Sequence, residues 1–96
     1  MKKALKRIKY EIYYYENNKK IIGVHSRIWG DVSEIRGNVS EISGNVSEIR
    51  GDVFGIKGNV FGIKGDVSGI SGNIDLCEII EEDRQKGIKI EDLIEN

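Results

Sequence analysis

His25 and Cys77 are the single histidine and the single cysteine of the chain, and they are its only side chains suited to imidazole or thiolate chemistry. A thiolate–imidazole pair must lie within hydrogen-bond reach. Here the whole repetitive midsection separates the two, which argues against a pair within one chain. The sequence contains no G-x-S-x-G elbow, no phosphate-cradling Walker loop, no G-x-G-x-x-G order and no metal-ligand spacing. The expectation is therefore a protein that is not an enzyme and uses no cofactor or metal. Cys77 is expected as a small buried apolar residue and His25 as a structural or surface residue.

The remaining chemistry is binding chemistry, and it recurs every 14 residues. Arg36, Arg50 and Lys64 fall in one series, and Trp29, Ser43, Lys57 and Ser71 in the other. Like charges one strand apart repel unless paired. Either Glu34 and Glu48 neutralise the first series, or it is an anion-facing stripe. Phe54 and Phe61 stand where the pattern otherwise has serine, and with Trp29 they have the composition of interface anchors. Asp31, Asn45, Asn59 and Asn73 form one polar series, and Asn38, Asp52 and Asp66 the other. Most of these are neutral and the calcium-binding nonapeptide is missing, so hydrogen-bond ladders at corners are expected rather than calcium sites.

These series follow from a repeat. Cutting at isoleucine gives IWGDVSE, IRGNVSE, ISGNVSE, IRGDVFG, IKGNVFG, IKGDVSG and ISGNIDL, seven units of I-x-G-[DN]-V-y-z over residues 28–76. The apolar spacing of 4, 3, 4, 3 is also that of a coiled-coil seam. A helix here would carry ten glycines, a penalty of about 10 kcal/mol against alanine. The other residues are mostly Asp, Asn, Ser, Val and Ile, which are middling to poor helix formers.

The same residues suit strands. Valine and isoleucine favour pleated surfaces, and Gly-Asp and Gly-Asn are corner chemistry. In a five-residue strand I-x-G-[DN]-V, positions one, three and five point inward, and y-z turns the corner. The expected fold is mainly all-β: a β-solenoid with about 14 residues per coil. Glycine at the middle inward position is expected to let two sheets approach closely.

Open sheet ends invite polymerisation unless capped. Residues 1–27 are expected as a basic, tyrosine-rich β-hairpin cap. Ile8, Tyr10, Ile12 and Tyr14 would share one face, with a turn at Glu16–Lys19. Residues 77–96 are expected as an acidic cap with a short helix over 80–86, stopped by Gly87. Leu76, Ile79, Ile80, Ile88, Ile90, Leu93 and Ile94 would cover the open end. The three segments form one domain.

Of 96 residues, 39% are hydrophobic and 32% charged, and the net charge is −1. No apolar run approaches a membrane span, and no charged-then-apolar leader is expected. One cysteine fits a reducing compartment, the cytoplasm of a bacterium or phage-infected host. Charge is polarised: residues 1–27 hold eight Lys/Arg against two acids, and residues 77–96 hold three against seven. Head and tail could attract each other within one chain or between copies, so a homo-oligomer is expected. Lys2, Lys3, Lys6 and Arg7 with Tyr13 and Tyr15 are the candidate nucleic-acid contacts, although the overall charge disfavours a dedicated nucleic-acid domain.

The unit resembles that of the ryegrass-type ice-binding β-roll, x-x-N-x-V-x-G, in its apolar-x-Gly step and repeated Asn/Asp. It departs from that family in using two apolar residues per unit and in lacking outward threonine, which argues against ice binding. Runs such as Gly65–Ile70, G-D-V-S-G-I, are similar to those of small bacterial and phage heptad-repeat proteins that end in a short acidic tail. The resemblance implies the architecture. It also implies a phage or mobile-element accessory protein that inhibits a host defence or regulatory protein through a rigid surface. Trp29, Phe54 and Phe61 would anchor the protein partner, with Arg36, Arg50 and Lys64 steering. The alternatives are a nucleic-acid binder or a purely structural self-assembling module.

Overall fold

The structure, a computed structural model, describes residues 1–6 and 11–95. Arg7, Ile8, Lys9 and Tyr10, part of the expected hairpin face and basic patch, lie outside the described residues. The chain is mainly β. Strands β1 (Ile12–Glu16) and β2 (Lys19–Ile22) come first. The repeat supplies β3 (Ile28–Trp29), β4 (Ile35–Asn38), β5 (Ile42–Asn45), β6 (Ile49–Asp52), β7 (Ile56–Asn59), β8 (Ile63–Asp66) and β9 (Gly72–Asn73). A 3-10 turn (Ile74–Cys77), helix α1 (Glu81–Lys86), β10 (Ile88–Lys89) and a second 3-10 turn (Ile90–Leu93) follow.

Successive repeat strands go to alternate sheets. One sheet runs β3-β5-β7-β9; the other runs β2-β1-β4-β6-β8-β10. All pairings within the repeat are parallel, and among the described residues only β1 and β2 pair antiparallel. Asn17 and Asn18 make that hairpin possible by taking φ of 51° and 63°, the left-handed conformation that two-residue hairpin loops need. The isoleucines and valines of both sheets meet in one buried cluster from Ile28 to Ile74, joined by Ile90. Each such side chain contributes about 1.5–3 kcal/mol by leaving water.

Neighbouring strands are slid by two residues relative to the 14-residue repeat. Ile35 stands opposite Gly51, and Ile49 opposite Gly65, sixteen residues on. The columns expected at intervals of fourteen are therefore inclined. Each corner is tied locally. In every unit the Asp or Asn Oδ1 accepts the N–H two residues later, from Asp31 with Ser33 at 2.9 Å to Asn73 with Asp75 at 2.9 Å. Only that oxygen is used, so Asp and Asn serve equally. The valine carbonyl then accepts from the next isoleucine N–H, as in Ile56 to Val53 at 3.0 Å.

The repeated glycine has a different reason from the one expected. Gly51 sits at φ 94°, where a side chain is strained. A Cβ there would strike the Asp66 carboxylate and Ser68 hydroxyl of the following strand. The residue gives room to the neighbouring corner along the stack, rather than to the opposite sheet.

The tail also differs. Ile90 is buried and Ile79, Ile88 and Leu93 are half-buried, but Leu76, Ile80 and Ile94 are exposed. The reason is parity. After β9 the chain crosses back, and β10 pairs with β8, so the cap extends one sheet and leaves β9 as the edge of the other. Among the described residues no helix is long and apolar enough to cross a membrane.

Candidate interaction surface

A second hydrogen-bond ladder connects strands. The Asp31 N–H donates to Ser47 Oγ at 2.9 Å and the Asp52 N–H to Ser68 Oγ at 2.8 Å, each acceptor lying sixteen residues on. The Asn59 N–H donates to Asp75 Oδ1 at 3.0 Å, and the Tyr15 N–H to Ser40 Oγ at 2.8 Å. By the same spacing, Asn38 and Asn45 face Phe54 and Phe61. Neither phenylalanine has a side-chain oxygen, so the ladder is broken at both places.

The two breaks differ in surroundings. Phe61 is half-buried, and its carbonyl is one of two held by Arg84. The Arg84 Nη1 donates to Asn59 O and to Phe61 O, both at 2.8 Å, with Asp75 Oδ1 3.9 Å from Nη2. Phe54, by contrast, is 75% exposed. It borders a shallow groove of about 230 Å³ with Asn38, Glu41, Ile56 and Lys57, where Lys57 and Glu41 pair at 3.3 Å.

Phe54 and Phe61 follow strands of different sheets, so they stand at opposite corners and not side by side. Trp29, 58% exposed, lies on β3, in the sheet whose other x positions are Ser43, Lys57 and Ser71. Arg36, Arg50 and Lys64 lie on β4, β6 and β8 of the other sheet. The six expected anchor and steering residues are thus spread over two faces and two corners. Phe54 sits between the faces, four residues after Arg50.

The slide also changes the electrostatics of the basic series. Asp52 stands opposite Arg36 and Asp66 opposite Arg50, so the next cation is not the direct neighbour. The Ser68 backbone N–H and hydroxyl hold the Asp66 carboxyl below its ordinary range, with Arg50 and Arg36 adding to the effect. Asp31 is lowered likewise by the Ser33 hydroxyl and N–H. At the far end Lys64 faces Lys89 of β10, which concentrates positive charge there.

In the head, Lys20 lies over the Tyr13 ring at 4.3 Å and pairs with Glu11 at 3.3 Å. The Tyr15 ring meets that of Tyr13 edge-on at 5.8 Å. Lys2, Lys3 and Lys6 are exposed, and Arg7 lies outside the described residues. His25 joins the head to the repeat. Its Nε2 is 2.7 Å from Val39 O, and its Nδ1 accepts the Arg27 N–H at 3.1 Å. With Nδ1 accepting, Nε2 is the nitrogen that donates to Val39 O. Arg27 Nη2 donates to Ser40 O at 2.7 Å. Cys77, expected buried, is exposed. Among the described residues, no group of three or more His, Cys, Asp or Glu could hold a metal ion.

Sequence reasoning missed Arg84. Its only signal was being the first cation of an otherwise acidic short helix, beside a repeat whose last carbonyls needed donors. No protein-family model matches the chain, and comparisons with curated proteins and with solved structures give no match.

Proposed function

We propose that the protein is a non-catalytic β-solenoid of 14-residue coils that presents a rigid surface to a protein partner, with Phe54 as the principal anchor. The observation that carries this reading is the 75% exposure of Phe54 at a position where serine would bond the neighbouring strand. An aromatic ring that forgoes that bond and stays in water contributes little to folding, and aromatic side chains are enriched at interfaces. Its flanks differ in chemistry. The Lys57–Glu41 pair lies on one side and Arg50, opposite Asp66, on the other, so a partner with an apolar contact ringed by charges of both signs fits best. Trp29 serves as a second, separate contact, and Arg36, Arg50 and Lys64 steer approach. Phe61 belongs more to the junction with the tail. The likeness of Gly65–Ile70 to phage heptad-repeat proteins supports inhibition of a host defence or regulatory protein as the setting.

The nucleic-acid reading has less support, because Lys20 already covers the Tyr13 ring.

The test is Phe54→Ser. The new hydroxyl stands where Ser68 and Ser47 bond their neighbours. Stability should hold or rise, by about 0.5–1.5 kcal/mol for one hydrogen bond, while capture of the partner from host lysate falls. Undiminished capture, or a clear drop in melting temperature, would remove Phe54 from the site.

A further inference from the structure

Of the four sheet edges, β2 carries Lys19 and Lys20, β10 carries Lys89, and β3, itself uncharged, is directly preceded by Arg27; such charges are how edge strands avoid further pairing. Strand β9, Gly72–Asn73, carries no charge and among the described residues pairs only with β7. Earlier strands of this sheet offer carbonyls to the next one. Arg27 O and Trp29 O accept from Gly44 and Val46, and Glu41 O and Ser43 O from Gly58 and Val60, all at 2.8–2.9 Å. The corresponding residues beside β9 are Gly69 and Ser71, and among the described residues no strand follows in this sheet. Nothing lies within 4 Å of where a Cβ would stand on Gly69 or Gly72.

A groove of about 700 Å³ runs along this edge, between Gly69–Asn73 on one wall and Asp92–Glu95 on the other. Leu76, 78% exposed, and Ile94 provide its apolar surface, and Asp92 and Glu95 its charge. An extended, basic and partly apolar segment matches it. Residues 1–6 have that composition: Lys2, Lys3 and Lys6 surround Leu5, which is 98% exposed. A whole second copy stacked end to end here would set β10 with Lys89 against β2 with Lys19 and Lys20 before β9 could meet β3. Strand β10 extends the adjoining sheet at this end, and β1 and β2 extend the same sheet beyond β3 at the other, so the like-charged overhangs would meet first.

We infer that the N-terminal segment of a second copy docks as an added strand along β9, with its lysines on Asp92 and Glu95 and Leu5 on Leu76 and Ile94. The contact is head to tail, so it generates a ring or an open chain of copies.

The test uses two charge-reversed full-length variants, K2E/K3E/K6E and D92K/E95K, all at exposed positions, followed by sedimentation velocity across concentration. The wild type should grow in mass with concentration, and each variant alone should associate about tenfold more weakly or not at all. An equimolar mixture of the two should recover association, because reversed segment then meets reversed groove. A wild type that stays monomeric at all concentrations overturns the proposal, whether the segment is then free or docked on its own chain. Association indifferent to both reversals, or not recovered in the mixture, overturns it as well.

Discussion

Asp66 shows how one side chain serves two purposes in this repeat. Its Oδ1 closes the corner by accepting the Ser68 N–H at 2.9 Å, and its charge lies opposite Arg50. The first purpose is met equally by asparagine at 38, 45, 59 and 73. The second is met only by aspartate, and only where an arginine is opposite. The lowered pKa of Asp66 and Asp31 carries a signed consequence. A carboxyl whose folded pKa is depressed adds stability above its unfolded value, and that stability is lost as pH falls through the folded one. Acid should therefore weaken the fold progressively below the ordinary value of 3.8. The double variant Asp31→Asn/Asp66→Asn keeps both acceptors and loses both titrations. Its melting temperature should fall less steeply than that of the wild type below about pH 4, measured by thermal scans at stepped pH. Parallel curves would contradict the assignment.

At the scale of elements, the repeat was the most legible part of the chain. Two apolar residues per seven, with glycine between them and serine or glycine at the corners, favour strands over a helix on propensity alone. The hairpin was legible because Glu16-Asn17-Asn18-Lys19 supplies the left-handed pair its turn needs. The two-residue slide was not. It rests on side-chain bonds between residues sixteen apart, such as Asp52 to Ser68, and periodicity at seven gives no hint of them. The route of the tail was equally hidden, because Ile88–Lys89 is too short to carry a pattern. Where the tail meets the repeat, Arg84 bonds the carbonyls of Asn59 and Phe61, and its side chain is only 10% exposed. Arg84→Met keeps the apolar stem and removes both bonds, leaving two carbonyls without their donor. A loss of about 1.5–3 kcal/mol is expected from denaturant unfolding, with faster amide exchange at Ile88, whose N–H bonds Gly62 O. Unchanged stability would mean that the tail is held by Ile90 and Leu93 alone.

For the whole molecule, the slide links fold to surface. It separates the cations of the basic series with aspartates, and it places Phe54 and Phe61 where Asn38 and Asn45 would otherwise find a hydroxyl. Crossing between sheets at each unit sends Trp29 to one face and Arg50 to the other. The same alternation leaves β9 uncapped while β10 seals its neighbour. The most direct measurement is a set of nuclear Overhauser contacts in the uniformly labelled protein. Backbone contacts should join Ile35 to Gly51, Ile42 to Gly58 and Ile49 to Gly65, pairs sixteen residues apart. Contacts between Ile35 and Ile49 in their place would remove the slide and the surface built on it. A run of contacts three and four residues apart along residues 28–76 would replace the strands with a helix.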